Sequence, residues 1–165
     1  MILTGPRIEQ EREAGRIVVE PFSPDAVNPN SYNYRLGSTV KCYDADTGSF
    51  VAFELPEDGH VLTPHRMYLG HTAEVIGSDT YAMSLIGRSS MGRLGLFLQV
   101  SANLGHTTSC HRWTLEMVAT RPLRIYPGML IGQVSFWCNT GSLRPTTAFY
   151  ARFDEPQEST LGGLR

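Results

Sequence analysis

"WTLEMVATRPLRIYPGMLIGQVSFW", residues 113 to 137, decides the fold class of this chain. Apolar and β-branched residues alternate with polar ones over short runs, and Arg121-Pro122 and Pro127-Gly128 separate those runs. Proline and glycine at these points are typical of turns between strands. The stretch therefore predicts at least three short strands.

More strands are predicted on the N-terminal side. "SYNYRLG" (31–37) alternates, "KCYDADTGSFVAF" (41–53) is typical of a hairpin that turns at "DADTG", and "HVLTPHRMYLGHTAEVI" (60–76) predicts two strands around Pro64. Many short strands with regular turns indicate an all-β barrel or a jelly-roll-like sandwich.

The N-terminal stretch "GPRIEQEREAGRIVVEPF" (5–22) differs from the rest of the chain. It predicts one short helix that ends near Gly15, followed by a strand from Ile17 to Val19 that Pro21 closes. The polar end of the chain, "FDEPQESTLGGLR", has no apolar period. We therefore expect a single domain over residues 1–165, with about 152–165 as a flexible C-terminal tail.

Composition excludes several classes of function. The 165 residues are 41% hydrophobic and 18% charged, which suits one compact domain with a core. A net charge of -2 supplies no general attraction for nucleic acid, and no apolar run is long enough to cross a bilayer. We therefore expect neither nucleic acid nor a membrane as partner.

Cys42, Cys110 and Cys138 are widely spaced, which argues against a disulfide framework and favours a cytoplasmic location.

A second stretch, "LIGRSSMGRLGL" (85–96), has the residue types of a phosphate-binding segment. Its glycines let the backbone approach a ligand, its serines offer adjacent hydroxyls, and its arginines supply guanidinium groups suited to phosphate oxygens. The alternative is a surface turn in which the serines cap a helix and the arginines are solvated. Residue types alone leave both interpretations open. The residues concerned are Gly87, Arg88, Ser89, Ser90, Gly92, Arg93 and Gly95.

Six motifs together resemble one known family. "NPNSYNYRLG", "HRMYLGHTAEVI", "IGRSSMGRLGL", "VSAN", "TLEMV" and "YPGMLIGQVSF" occur in the order and approximate spacing found in the dCTP deaminases, which share a trimeric β fold with the dUTPases. The resemblance covers nearly the whole chain, from "MILTGPRI" to the tail. It implies a distorted β-barrel or jelly-roll-like dUTPase-type fold with a short N-terminal helix, and a homotrimer. It also implies metal-independent deamination of a cytosine nucleotide, such as dCTP, to the uracil nucleotide and ammonia.

Glu116 is the candidate general base. It lies in an otherwise apolar, strand-like run, where a buried carboxylate is costly. In the similar family the matching glutamate activates water for attack at C4 of cytosine and passes protons to N3 and the departing amine. The resemblance also implies that Arg93 lies beside this glutamate, and that Ser101 and Ala102 position the base and the water. The alternative is that Glu116 is a strand residue facing solvent.

The resemblance further assigns residues that hold the nucleotide. The serine and arginine residues after Gly87 match the triphosphate contacts, the glutamine of "IGQ" matches one near the phosphates, and "ANLGH" (102–106) matches the segment that cradles the deoxyribose. The chemistry needs no cofactor, and magnesium enters only as an ion that accompanies the substrate triphosphate. The candidate substrate-binding residues are Arg88, Ser89, Ser90, Asn103, Gly105, His106, Gln133 and Gln157.

A zinc mechanism is the alternative chemistry for deamination. Zinc deaminases carry His-x-Glu and a distant Pro-Cys-x-x-Cys, and this sequence contains neither. His106, Cys110 and His111 lie close together in "GHTTSCHRW", but no paired second half accompanies them. We therefore predict no metal site.

The segment between "VSA" and "TLE" departs from the family pattern. Gly105 and His106 replace an isoleucine-aspartate pair. In the dUTPases that aspartate positions the water that attacks the α-phosphate, so its absence predicts that no diphosphate is released. The missing side chain at Gly105 predicts a roomier pocket near the sugar and weaker discrimination against ribonucleotides or modified cytosine nucleotides.

Other functions remain open at this point. One is a non-catalytic regulator that binds pyrimidine nucleotides on the same fold, and another is a structural protein that reuses the trimeric scaffold. A dUTPase-like diphosphatase is a third alternative. Ammonia release from a pyrimidine nucleotide separates the deaminase from all three.

Overall fold

The computed structural model describes residues 1–99, 102–144 and 154–161. Helix α1 is Gly5–Glu13, helix α2 is Ser89–Arg93, and a 3-10 helix spans Pro24–Ala26. No helix in these ranges is long and apolar enough to cross a membrane. The strands, in chain order from β1 to β15, are Val18–Glu20, Val27–Asn28, Ser31–Arg35, Thr39–Asp44, Ser49–Glu54, His60–Leu62, Met67–His71, Val75–Gly77, Tyr81–Gly87, Leu96–Leu98, Leu104–Gly105, Cys110–His111, Thr114–Ala119, Leu123–Ile125 and Leu130–Cys138.

Two five-stranded antiparallel sheets form the body of the protein. Their strand orders are β10-β13-β7-β4-β5 and β11-β9-β15-β3-β2. A three-stranded sheet, β1-β8-β12, and a two-stranded sheet, β14-β6, complete the described strands. The prediction of an all-β fold with a short N-terminal helix is confirmed.

The strand predictions agree closely with the observed elements. The stretch 113–137 forms β13, β14 and β15, and the predicted hairpin is the β4–β5 pair. The stretch 60–76 contributes to three strands, β6, β7 and β8, whereas the sequence predicts two. The third strand arises because the chain turns after β7. In that turn the Thr72 hydroxyl donates to the Glu74 carbonyl, and the Glu74 carboxylate accepts from the Arg35 backbone N–H and guanidinium.

Strand β3 lies between β15 and β2 in its sheet. Its alternating sequence predicts one buried and one exposed face, yet four of its five residues are buried. Tyr32 and Tyr34 are fully buried, while Ser31 donates a hydrogen bond to the Gln133 side chain and Asn33 to that of Asn28. The polar residues of β3 are therefore buried among hydrogen-bond partners on neighbouring strands.

An ion pair fixes helix α1 to the chain that follows it. Glu11 is fully buried, and its carboxylate accepts hydrogen bonds from the Arg16 guanidinium and pairs with Arg7 at 2.8 Å. The hydrogen bond from Arg16 is the main reason that the pKa of Glu11 falls from 4.5 to about 2. A carboxyl group with a lowered pKa stabilises the folded state at pH values above its ordinary pKa.

The contribution of Glu11 to stability should be lost as the pH falls from about 4.5 towards about 2. We expect Glu11→Gln to melt below the wild-type protein at neutral pH, with the two melting temperatures converging near pH 2. Thermal unfolding followed by circular dichroism across this range measures the effect. Glu13→Gln, on the exposed side of the same helix, is the matched control and should follow the wild type. A pH-independent difference for Glu11→Gln would contradict the assignment.

Candidate functional site

A cavity of about 660 Å³ lies against strands β5, β7 and β13 and the segment 102–113. It brings together Ala102, His106, Glu116 and Gln157, four of the residues singled out from the sequence. We call it the Glu116 cavity. Its other lining residues are Phe50, Met67, Leu69, Leu104, Ser109, His111, Trp113, Thr114 and Ser159.

Glu116 is half-buried in this cavity, midway along β13. Its carboxylate forms no hydrogen bond or ion pair with any residue in the described ranges. It is therefore neither a fully solvated surface group nor a structural ion pair. A carboxylate in such a position can accept a proton from a ligand or from water.

The backbone on either side of Glu116 is held by Gln99. The Gln99 side-chain oxygen accepts the Glu116 N–H at 2.8 Å, and its amide nitrogen donates to the Thr114 carbonyl at 3.1 Å. The backbone N–H of Gln99 also donates to the Glu116 carbonyl at 3.3 Å. Gln99 is buried and adopts a positive φ of 50° at the end of β10, a conformation that non-glycine residues rarely take.

The Glu116 cavity has an apolar end and a polar end. Leu69 is the cross-strand partner of Glu116, and Met67 and Phe50 extend the apolar wall on one side. Thr114, two residues before Glu116, begins the polar end. Ser109 and the two histidines of segment 106–111 add its other polar groups, and the apolar side chains of Leu104 and Trp113 come from the same stretch of chain. A ligand with one aromatic and one hydroxyl-bearing part matches this division of the walls.

Gly105 does not open the cavity as its sequence predicts. A Cβ atom at this position would lie 3.0 Å from Met83 Cβ, 3.0 Å from Trp113 Cη2 and 3.3 Å from Leu85 Cδ1. The Trp113 indole is fixed there by a 2.9 Å hydrogen bond from Nε1 to the Ile76 carbonyl. The expectation of a roomier pocket at Gly105 is therefore wrong, because the Trp113 ring fills the space.

Sequence reasoning missed several residues of the site. Trp113, His111, Ser109 and Thr114 line the cavity, and all lie in "SCHRWT", directly before the motif that contains Glu116. These residues could have been found from the sequence, because they lie next to a candidate base in the chain. Gln99 carried no such signal, since its role depends on a backbone contact across strands.

Part of the C-terminal segment lies over the cavity. The Gln157 backbone N–H donates to the Thr114 hydroxyl at 3.0 Å, and Glu158 pairs with Lys41 at 2.9 Å. The Arg112 backbone N–H donates to the Asp154 carboxylate at 3.2 Å. Gln157 and Ser159 therefore form part of the cavity wall.

The predicted phosphate-binding residues form a second group, away from the Glu116 cavity. Ser89 and Ser90 begin α2 and are exposed, as is Arg93 at its end, while Arg88 is the N-cap residue and makes no side-chain cap. Gln133, on β15, is the register partner of Ile86 just before this segment. None of these five residues is among the described residues that line the Glu116 cavity.

The two groups lie towards opposite ends of β13. Helix α2 leads through Gly95 into β10, and the Gly95 carbonyl accepts the N–H of Thr120, just beyond β13, at 2.8 Å. The polar end of the cavity begins instead at Thr114. Thr120 follows Thr114 by six positions, which corresponds to about 20 Å of extended chain.

The remaining candidates are placed as follows. Asn103 is exposed, and its side chain donates to the Ser84 hydroxyl at 3.1 Å rather than lining the cavity. Ser101 lies outside the described residues. Within the described ranges, no group of three or more His, Cys, Asp or Glu residues has the arrangement of a metal site. Cys42, Cys110 and Cys138 are free thiols.

Comparisons with known proteins show which family this chain belongs to. Residues 2–139 match the family model described as dCTP deaminase-like. The chain is 39% identical over 142 residues to a protein named "dCTP deaminase, dUMP-forming" from Cytophaga hutchinsonii, with 82% of each chain covered. It is also 39% identical over 143 residues to a "dCTP deaminase" from Rhodopirellula baltica, covering 83% of this chain and 72% of that one.

A solved structure gives the same result for the fold. The crystal structure of 2'-deoxycytidine 5'-triphosphate deaminase from Agrobacterium tumefaciens superposes with a TM-score of 0.70 at 21% sequence identity. The superposition covers 84% of this chain and 48% of that one, so it supports the fold alone. The family model and the sequence relatives together span most of this chain, which therefore belongs to the dCTP deaminase-like family.

Proposed function

We propose that this protein hydrolyses dCTP to a uracil nucleotide and ammonia, with Glu116 as the general base. The observation that carries the proposal is the Glu116 carboxylate, which is half-buried in a cavity and unpaired among the described residues. The names of the relatives, which are dCTP deaminases, support the choice of substrate.

The proposed chemistry is an addition followed by an elimination. Glu116 removes a proton from water, the water oxygen bonds to C4 of cytosine, and Glu116 passes this proton to N3. The regenerated carboxylate then takes the proton of the new C4 hydroxyl and delivers it to the amino group, the C4–N bond breaks, and ammonia leaves as the C4=O bond forms. General acid–base catalysis of this kind contributes a factor of about 10² to 10⁴ to the rate.

Further residues of the proposed site follow the family resemblance. Ala102 lines the cavity beside Glu116, and Ser101 is its neighbour in the chain. We assign both to positioning the base and the water, and we assign Arg93, which lies outside the cavity of its own chain, to the surroundings of Glu116 in a second copy. Gln157 closes one wall of the cavity.

We further propose that each site is completed by a second copy of the chain. A deoxyribose is polar, so a nucleotide with its base at Glu116 extends its sugar towards Thr114, away from the α2 of the same chain. Its phosphates then have to meet Arg88, Ser89 and Ser90 of another copy. A symmetric homotrimer provides such a pairing at every site.

The surface around α2 supports contact between copies. Ile86, Leu94 and Phe97 flank this helix and are 40%, 41% and 45% exposed. Exposed apolar side chains on both sides, in sequence, of a segment rich in arginine and serine are typical of an interface with a functional rim. Asn103, Gly105, His106 and Gln133 remain proposed nucleotide-binding positions.

No cofactor takes part in the proposed chemistry. Magnesium would accompany the substrate triphosphate, whose charge it neutralises, and would be held by the phosphates rather than by a protein cage. A cytoplasmic location belongs to the same proposal, since the substrate class and the three free cysteines suit a reducing compartment.

Glu116→Gln should abolish deamination and retain nucleotide binding. The amide keeps the size of the side chain but cannot accept the proton of the attacking water, so we expect the rate to fall by a factor of about 10² to 10⁴. Ammonia release from dCTP measures the rate, and calorimetry measures binding.

The matched control for this variant is Glu54→Gln. Glu54 is an exposed carboxylate on β5 of the same sheet and does not line the Glu116 cavity. Its substitution should leave turnover within a factor of about two. Turnover of Glu116→Gln within a few-fold of the wild type would rule out the general base.

We predict dUTP, with its triphosphate intact, as the product. Glu116 is the one carboxylate among the described residues that line the cavity, and His106 stands where the resemblance places the aspartate of the dUTPases. Seven relatives named "dCTP deaminase, dUMP-forming" make dUMP the competing product. Chromatography of the products from dCTP separates them, and equal amounts of dUMP and diphosphate would contradict the prediction.

A further inference from the structure

His111 is a buried polar side chain in the polar end of the Glu116 cavity. It is 8% exposed and lies on β12, where it pairs in register with Ile76. Its ring packs on Trp113 with centroids 4.3 Å apart, and its Nδ1 lies 2.8 Å from the Arg112 carbonyl oxygen. His106, in contrast, is exposed.

These contacts determine what the His111 ring offers to a ligand. A carbonyl oxygen only accepts hydrogen bonds, so Nδ1 is the donor of the pair with Arg112. In the neutral ring the proton is then on Nδ1, and Nε2 is an acceptor. His111 therefore presents a fixed acceptor rather than a donor.

Nε2 of His111 remains available to a ligand. It forms no hydrogen bond with any described residue, although His111 is a wall of the cavity. Among the described residues, His71 Nε2 is the fully enclosed polar side-chain atom that has no hydrogen-bond partner. His111 Nε2 is not enclosed in this way. A buried acceptor that solvent can still reach at the cavity is well placed to meet a hydroxyl donor.

The position of His111 matches the sugar of a nucleotide rather than its base. The apolar wall of Leu69 and Met67 lies on one side of Glu116, and His111 lies on the other, beyond Thr114. Thr114 and Glu116 are two strand residues, about 7 Å, apart. The sugar of a nucleotide with its base at Glu116 therefore reaches the part of the wall near Thr114, and His111 belongs to the same cavity wall.

We propose that His111 is a specificity residue that accepts a hydrogen bond, through Nε2, from the 3'-hydroxyl of the substrate deoxyribose. In a 5'-triphosphate of deoxycytidine this is the free hydroxyl of the sugar, so a single acceptor suffices to recognise it. The inference rests on the proposed function, because it takes the base to be at Glu116. It assigns to the nucleotide a contact with a side chain that the sequence analysis considered only as a metal ligand.

The first test uses the wild-type protein and two substrates. Deamination of dCTP is compared with that of 2',3'-dideoxycytidine triphosphate, which lacks the 3'-hydroxyl. We expect kcat/KM to fall by about tenfold for the dideoxy compound, the effect of one hydrogen bond in a partly buried site. The loss should be mainly in KM, since the contact is made before the chemical step.

The second test removes the acceptor. His111→Phe keeps a ring against Trp113 but has no Nε2, so dCTP and the dideoxy compound should become equivalent, with dCTP losing about tenfold. His111→Gln, which retains polar atoms, should give an intermediate ratio. The matched control is His60→Phe, because His60 packs on Phe53 and Tyr68 outside this cavity.

The outcomes separate this inference from the proposed function. If the wild type releases no ammonia from dCTP, the proposed function fails, and the affinity ratio of the two nucleotides for the same protein still tests His111. Equal handling of the two nucleotides by the wild type would overturn the inference. An unchanged tenfold ratio in His111→Phe would also overturn it.

Discussion

The side-chain amide of Gln99 is the interaction on which the site depends. Strand β10 ends at Leu98, so the edge of β13 beyond it has backbone groups without a strand partner. Gln99 satisfies them by bonding the Thr114 carbonyl and the Glu116 N–H. Buried backbone groups need such partners, and a side chain supplies them without adding a strand. The edge of the sheet beside Glu116 is thus left open for a cavity.

This arrangement separates the two groups of candidate site residues. One half of β13 carries Glu116 and faces the cavity, with Trp113 packed against Gly105 at its start. The other half pairs with β10, which leads back to α2 and its arginine and serine residues. In the proposed binding mode, a nucleotide with its base at Glu116 and its sugar at Thr114 has its phosphates far from that helix. The proposed trimer resolves this separation, because one copy supplies the base site and the next supplies the phosphate site.

The sequence predicts the fold well because local signals dominate it. Alternation and Pro-Gly turns mark the strands of 113–137, and these signals depend on neighbouring residues alone. Glu116 was also predictable as a site residue, since a carboxylate in an otherwise apolar strand requires an unusual environment. Gln99 and Trp113 were not predictable, because their roles come from contacts between strands that are distant in sequence. The gap at Gly105 is filled by just such a contact.

The C-terminal segment shows the same limit of sequence patterns. Its sequence has no apolar period, yet Gln157 bonds Thr114 and Glu158 pairs with Lys41. These are single polar contacts to strands more than forty residues earlier in the chain. Such contacts produce no periodic pattern in the sequence. Patterns of apolar residues therefore predict sheets better than they predict how a polar segment closes a site.

The central claim is that each active site joins Glu116 of one copy to the Arg88 segment of another. Complementation tests it directly, by measuring ammonia release after Glu116→Gln and Arg88→Ala chains are unfolded, mixed and refolded together. Each variant alone should be nearly inactive. The mixture should recover about a quarter of the wild-type activity, since random mixing in a closed assembly brings an intact Glu116 to an intact Arg88 at that fraction of sites. No recovery in mixed assemblies of confirmed composition would contradict the account.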